Sequence, residues 1–420
     1  MNFRPNPLLY GATEDFFGSF KLVVTMRDVI DHELLSLSVA NAMRRYPYFS
    51  VYPKKEGESI VLQQNDAPVP VFADSRCALL GSEESNGHLI TFGCEDKRIF
   101  LNASHYIVDG MGVCPLLMTV LYLYSSLKYG DEGLNAAKIL MPDGEISDKE
   151  YEYPFASLPL SEDECALPSV DAGDVYPLDG EHFDNGGLYA YHLRISSKEM
   201  MKMANSSDGS PVSFLSVLLY RALYELDNTI EKPIVAHVQH QYRAAINAPL
   251  NRHSLVSYIP VVLFPKLKDW HIERQNTVVR GQIIVGSEKS ADIGAVNRLL
   301  SVFPNEEAMS LTEKEAAMRR YIEESTEGKT FGISYVGKMD WCGLDRYVED
   351  IHAYIGERDT ENMLLMEVMT IGDDFSVNFM QSGSGKRYLD AFMNQLEQLD
   401  IPVSLVGEER FTLCGTKIPQ

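Results

Sequence analysis

The sequence predicts a mixed α/β protein, in the α+β sense, made of two lobes of comparable size. Strand-like runs alternate with helical runs of period 3.6 along most of the chain. At 420 residues the chain is too long for one ordinary core and suits two. Between 142 and 187 the patterning fails and Asp, Glu, Pro and Gly dominate, the mark of a linker or a loop covering one face. The expected divisions are a first lobe at 1–141, the acidic segment at 142–187 and a second lobe at 188–420.

In the first lobe, residues 21–26 read as a strand. Residues 31–45 put Leu34, Leu35, Val39, Ala42 and Met43 at helical spacing, and Pro47 closes the run. Short strands are expected at 49–52, 60–63 and 69–72. Two more, 89–94 and 99–103, flank Glu95-Asp96-Lys97-Arg98, a charged turn suited to a hairpin. The helix expected at 111–129 is apolar on most of its surface and belongs at the centre of its core.

The second lobe opens with a strand at 188–195. A helix then starts at Ser210-Pro211, a hydroxyl at the cap and proline in the first turn, burying Phe214, Leu215, Leu218 and Leu219. Strands at 234–238 and 255–264 enclose Gln239-His240-Gln241-Tyr242-Arg243. Helices at 271–285, 292–300 and 312–324 precede strands at 330–335, 348–354, 363–371 and 375–380, and a last helix spans 386–399.

Composition narrows the function. A net charge of −23 argues against nucleic acid or an anionic membrane as partner, since phosphate contacts need a basic surface. It still permits a phosphorylated co-substrate in a local basic pocket. No apolar run approaches the roughly 20 residues of a membrane span. The first seven residues begin no secretory signal, so the expected location is cytoplasmic. The six cysteines (Cys77, Cys94, Cys114, Cys165, Cys342, Cys414) form no CxxC pair, which favours reduced thiols over a disulfide framework or a zinc site. His237 and His240 lack a third ligand at metal spacing, so no metal is assigned.

The chemistry-bearing segment is Asn102-Ala103-Ser104-His105-Tyr106-Ile107-Val108-Asp109-Gly110. It delivers a histidine from a strand into a sharp turn before a helix. An imidazole near its ordinary pKa of about 6.5 is largely neutral at pH 7 and suits a general base. Such a base can take the proton of an alcohol or amine as it attacks a thioester, with no covalent acyl-enzyme. The plainer reading is a strand-end histidine bonded to backbone carbonyls. Asp109 reads as structural, its carboxylate turned inward. A buried carboxylate needs a cation, and Arg243 is the candidate. Gly110 is expected to relieve a clash where the backbone turns.

This segment resembles the superfamily that includes chloramphenicol acetyltransferase, nonribosomal condensation domains, the plant BAHD acyltransferases and microbial alcohol acetyltransferases. The likeness extends over residues 31–45 with Arg44-Arg45-Tyr46-Pro47-Tyr48-Phe49, residues 210–226, Arg243 with Ser257-Tyr258-Ile259-Pro260, and Ile333-Ser334-Tyr335-Val336-Gly337. The plant Asp-Phe-Gly-Trp-Gly motif is only echoed by Tyr335-Val336-Gly337-Lys338-Met339-Asp340-Trp341. Ser104 stands where peptide-forming condensation domains carry a second histidine. The alcohol acetyltransferases therefore fit best.

The resemblance implies two chloramphenicol-acetyltransferase-like lobes, each a mixed sheet with packed helices, and a tunnel between them with His105 midway. It implies acyl-CoA as co-substrate, no permanently bound cofactor, and direct transfer in a ternary complex to a hydroxyl or amine of a small molecule. Tyr106, Tyr335 and Gly337 would line the tunnel. Ser334 is a candidate oxyanion donor, or an ordinary strand serine. Lys386 and Arg387 are candidate phosphate contacts at a helix start, or solvated surface charge. One rival is a stand-alone condensation-like enzyme fed by an acyl carrier protein; the other is a non-catalytic member of the fold.

Overall fold

The computed structural model describes residues 2–14, 18–156, 171–178, 187–356 and 363–419. The first part of the chain runs β1 (Asn2–Phe3), β2 (Ser19–Met26), α1 (His32–Met43), β3 (Val51–Glu56), β4 (Ser59–Gln64), β5 (Val71–Phe72), β6 (Ile90–Glu95), β7 (Arg98–Ser104) and α2 (Gly110–Tyr129). The charged turn is a hairpin, with Glu95 paired to Arg98 and Asp96 at φ 51°. Asp31 caps α1 by accepting from the backbone N–H groups of Glu33 and Leu34. The rest runs β8 (Leu188–Ser196), α3 (Ser197–Ser206), α4 (Pro211–Leu226), β9 (Ile234–Gln241), β10 (Val256–Leu263), α5 (Ile272–Gly286), α6 (Lys289–Ser301), α7 (Leu311–Thr326), β11 (Phe331–Tyr335), β12 (Val348–Ile355), β13 (Leu364–Ile371), β14 (Asp374–Ser382), α8 (Arg387–Glu397) and β15 (Val403–Phe411). Ser210 caps α4 with Pro211 behind it.

Three sheets result among the described residues. A five-stranded sheet has the order β12-β2-β7-β6-β5, a seven-stranded one β10-β9-β11-β13-β14-β8-β15, and a small one β1-β4-β3. This is the mixed two-lobe architecture the sequence predicts, with one exchange. Residues 348–355 fall in the range expected for the second lobe, yet β12 pairs antiparallel with β2 of the first sheet. Each lobe has its own core. One gathers around α1, α2 and the five-stranded sheet; the other gathers around α4, α8 and the seven-stranded sheet.

Where β12 passes the second sheet, charge and imidazole meet between the lobes. His352 stacks on His192 of β8, ring centroids 3.9 Å apart, and Arg194 pairs with Asp350 at 2.6 Å. Tyr354 Oη lies 2.9 Å from His192 Nε2.

One expectation needs correction. The helix α2 does reach the length and hydropathy of a membrane span, but 56% of its apolar window is buried inside the protein, as befits a core helix. Part of the acidic segment packs on the first lobe. Glu150 is buried and paired to Arg45 at 2.7 Å, and Tyr48 donates to the same carboxylate at 2.6 Å. Residues 157–170 and 179–186 of that segment, Cys165 among them, lie outside the described residues.

Candidate active site

His105 leaves β7 at the point where β2 begins. Ser104 is paired with Ser19 in the antiparallel register, and the His105 backbone N–H donates to the Gly18 carbonyl at 2.8 Å. Phe20 meets the imidazole edge-on at 5.1 Å. The ring is held from one side. Nδ1 lies 3.2 Å from Ser254 Oγ, and the imidazole also hydrogen-bonds the residue's own backbone carbonyl. Only Nδ1 is on the side of the ring that reaches that carbonyl, so it carries the proton and Nε2 keeps its lone pair. Among the described residues Nε2 has no protein partner. Burial pushes the His105 pKa below its ordinary value, and Asp109 partly opposes the shift.

Asp109 is the cap of α2. One carboxylate oxygen accepts from the Gly112 N–H at 2.7 Å and from Arg243 Nη2 at 2.7 Å. The other accepts from the Leu255 N–H at 2.8 Å. Arg243 continues outward to the carbonyls of Asn251 and His253, at 2.9 and 2.8 Å. One buried ion pair thus ties the turn after β7 to the loop before β10, the loop that carries Ser254. Gly110 plays a different part from the one expected. Its φ is not positive, and an added Cβ would meet nothing within 4 Å. The crowded glycine is Gly112, where a Cβ would lie 2.3 Å from the Arg252 carbonyl oxygen. Gly18 is equally tight, since the Tyr106 ring occupies the space of its missing side chain at 2.1 Å.

A cavity of about 850 Å³ opens beside this turn. His105, Tyr106, Ser254 and Gly18 form its buried end. Its wall is the face of β9 and β10 carrying His237, Gln239 and Tyr258, and its exposed rim comes from α6 and α7. Arg298 and Arg320 stand on that rim, and neither has an ion-pair partner among the described residues.

The other expected positions lie apart from this cavity. Ser334 on β11 faces Glu367 on β13, its register partner, and bonds to that buried carboxyl. Desolvation pushes the Glu367 pKa up to about 8, with the Ser334 bond opposing it. Tyr335 packs against Phe375 at 5.9 Å, and the Gly337 carbonyl accepts from Thr370 Oγ1 at 3.4 Å. Lys386 pairs with Glu408, and Arg387 donates to the Leu226 carbonyl at 3.4 Å. None of these five residues lines the cavity. Sequence reasoning missed Ser254, Arg298 and Arg320, because a lone serine in a loop and two exposed helix arginines carry no distinguishing local signal.

No protein-family model matches the sequence, and no curated protein matches it by sequence. Solved structures do match in three dimensions. TRI101 of F. sporotrichioides, in complex with coenzyme A and T-2, superposes with a TM-score of 0.63 at 9% identity, over 97% of this chain and 100% of that one. The fold is theirs too. Polyketide synthase associated protein 5 from Mycobacterium tuberculosis matches at 0.58 and 12% identity, covering 94% of this chain and 96% of its own. The condensation domain of the Monacolin K polyketide synthase MokA matches at 0.56 and 10%, covering 95% and 97%. The superfamily resemblance read from the sequence thus holds at the level of the fold.

Proposed function

We propose that this protein is an acyl-CoA-dependent acyltransferase that moves an acyl group to a hydroxyl or amine of a small molecule, with His105 as general base. One observation carries the reading: the His105 imidazole lies at the buried end of an 850 Å³ cavity, fixed through Nδ1 and with Nε2 unpartnered among the described residues. Its lowered pKa keeps it in the basic form at neutral pH. The shared fold with TRI101, whose structure holds coenzyme A, supports the donor.

In this reading the acceptor O–H or N–H hydrogen-bonds to Nε2. As the acceptor attacks the thioester carbonyl, its proton passes to Nε2. The Ser254 oxygen accepts from Nδ1–H, which holds the ring with Nε2 turned to the acceptor. Collapse of the tetrahedral intermediate expels the coenzyme A thiolate, which takes the proton back from the imidazolium. Asp109 moves no proton. It and Arg243 hold the turn in place. The rim arginines Arg298 and Arg320 supply the cations for the phosphates of coenzyme A, in place of Lys386 and Arg387, which have partners elsewhere.

The test is transfer itself. The purified protein is incubated with a panel of acyl-CoAs and alcohol and amine acceptors, and adducts are read by mass. The reading expects an acylated acceptor together with stoichiometric free coenzyme A. No product across the panel, with product from an acyl carrier protein donor, would give the reaction to the carrier-fed rival. No product from either donor would leave a binding member of the fold.

A further inference from the structure

Outside the cavity, two cysteines meet behind the catalytic turn. Cys77 lies between β5 and β6, and Cys414 follows β15. The two segments run side by side: Leu80 bridges Thr416 in parallel, the Leu80 N–H donating to the Gly415 carbonyl at 3.1 Å and the Lys417 N–H to the Leu80 carbonyl at 2.7 Å. Cys77 Sγ lies 3.2 Å from the Thr412 carbonyl oxygen, and the Cys414 thiol is the neighbour that acts most strongly on the Cys77 sulfur. The Lys21 side chain, buried on β2, reaches the same sulfur. Cys77 is half-buried, whereas Cys414 is 2% exposed.

We propose that Cys77 and Cys414 are an attacking and a resolving thiol, a site that low-molecular-weight disulfides convert into an intramolecular disulfide. The roles follow from the surroundings. The Cys414 S–H and the Lys21 ammonium stabilise a thiolate at Cys77, lowering its pKa against the effect of burial, and Cys77 is the more exposed of the two sulfurs. The same Cys77 neighbour, with burial, pushes Cys414 up. The Cys77 thiolate attacks one sulfur of glutathione disulfide, the S–S bond breaks, and a glutathione thiolate leaves. Cys414 gives its proton to that thiolate and attacks the Cys77 sulfur, expelling the second glutathione thiolate, which is protonated by solvent. Two protein thiols and one glutathione disulfide become one protein disulfide and two glutathione thiols.

The bond would sit directly behind the site. The Cys414 backbone N–H donates to Ser19 Oγ at 3.0 Å, and that hydroxyl donates back to the Cys414 carbonyl at 2.7 Å. Thr416 Oγ1 lies 3.2 Å from Ser104 Oγ, one residue before His105. Oxidation would tether the tail to the segment around Cys77 across this support.

The test needs no substrate. Reduced, folded protein is treated with excess glutathione disulfide, remaining thiols are alkylated, and peptides are mapped by mass. The expected product is a linked Cys77–Cys414 peptide; in Cys414→Ser the reaction stops with glutathione on Cys77. With iodoacetamide, the alkylation rate of Cys77 should inflect below the roughly 8.5 of an ordinary thiol. A wild-type protein that keeps glutathione on Cys77 without linking, or a Cys77 rate still climbing through pH 8.5 like an ordinary thiol, overturns the proposal.

Discussion

Replacing Arg243 with methionine probes the support of the site most sharply. The substitution keeps an apolar stem of similar reach and deletes a cation that donates to Asp109, Asn251 and His253. Breaking a buried ion pair from one side costs about 3–5 kcal/mol, since the remaining charge stays desolvated. Asp109 retains the Gly112 and Leu255 N–H groups, which argues for the lower half of that range. If about 200 residues unfold with the site, the unfolding entropy is near 0.4 kcal/mol/K. A loss of about 3 kcal/mol then lowers the melting temperature by about 7 °C. Calorimetry on Arg243→Met, Asp109→Asn and the double variant reads both the cost and the coupling. The double variant should be less destabilised than the sum of the singles, because neutralising both partners removes the stranded charge. Single-variant costs within about 1 kcal/mol of zero, or strict additivity, would refute the idea that this pair holds the turn after His105.

Other outcomes follow from the same geometry. The acid limb of the kcat/KM pH profile should fall below the ordinary histidine value of about 6.5, since burial lowers the His105 pKa, and Asp109→Asn should move it lower still by removing the one charge that raises it. Gly112→Ala should cost about 1–3 kcal/mol, its Cβ being driven into a backbone carbonyl, whereas Gly110→Ala should be neutral or slightly stabilising in a melting experiment. Between the lobes, burial and then the neighbouring His352 hold the His192 pKa down at about 3. A base with a depressed folded pKa contributes stability above its unfolded pKa and loses it as pH falls. The protein should therefore weaken by roughly 1.4 kcal/mol per unit from pH 6.5 towards pH 3, and His192→Phe should flatten that slope in urea titrations; an unchanged slope would place the acid sensitivity elsewhere.

Much of the site was legible because its signals are local. The apolar run ending at His105 and the Ser210-Pro211 start each follow from spacing within a few residues, whereas the capping of α2 by Asp109 came only with the structure. The Arg243 partner followed from the cost of a buried carboxylate and was found at 2.7 Å. What stayed hidden is long-range. Nothing in Val348–Ile355 marks it for β2 rather than for its neighbours in sequence. The helix Ser197–Ser206 buries only Met200 and Ala204, too little periodicity to stand out. The edge strand Val403–Phe411 exposes Leu405 and Val406 and carries Glu408, Glu409 and Arg410. Ser334 was expected near the histidine from its strand alone, but its side chain faces Glu367 on the adjacent strand.

The central claim rests on one imidazole, so its removal is the most direct measurement. Free thiol released from acyl-CoA in the presence of an acceptor is compared for wild type and His105→Ala, with circular dichroism and melting verifying that both are folded. Loss of a general base predicts a fall in kcat of about 10²–10⁴-fold with little change in KM. A folded His105→Ala that turns over at the wild-type rate would contradict the account.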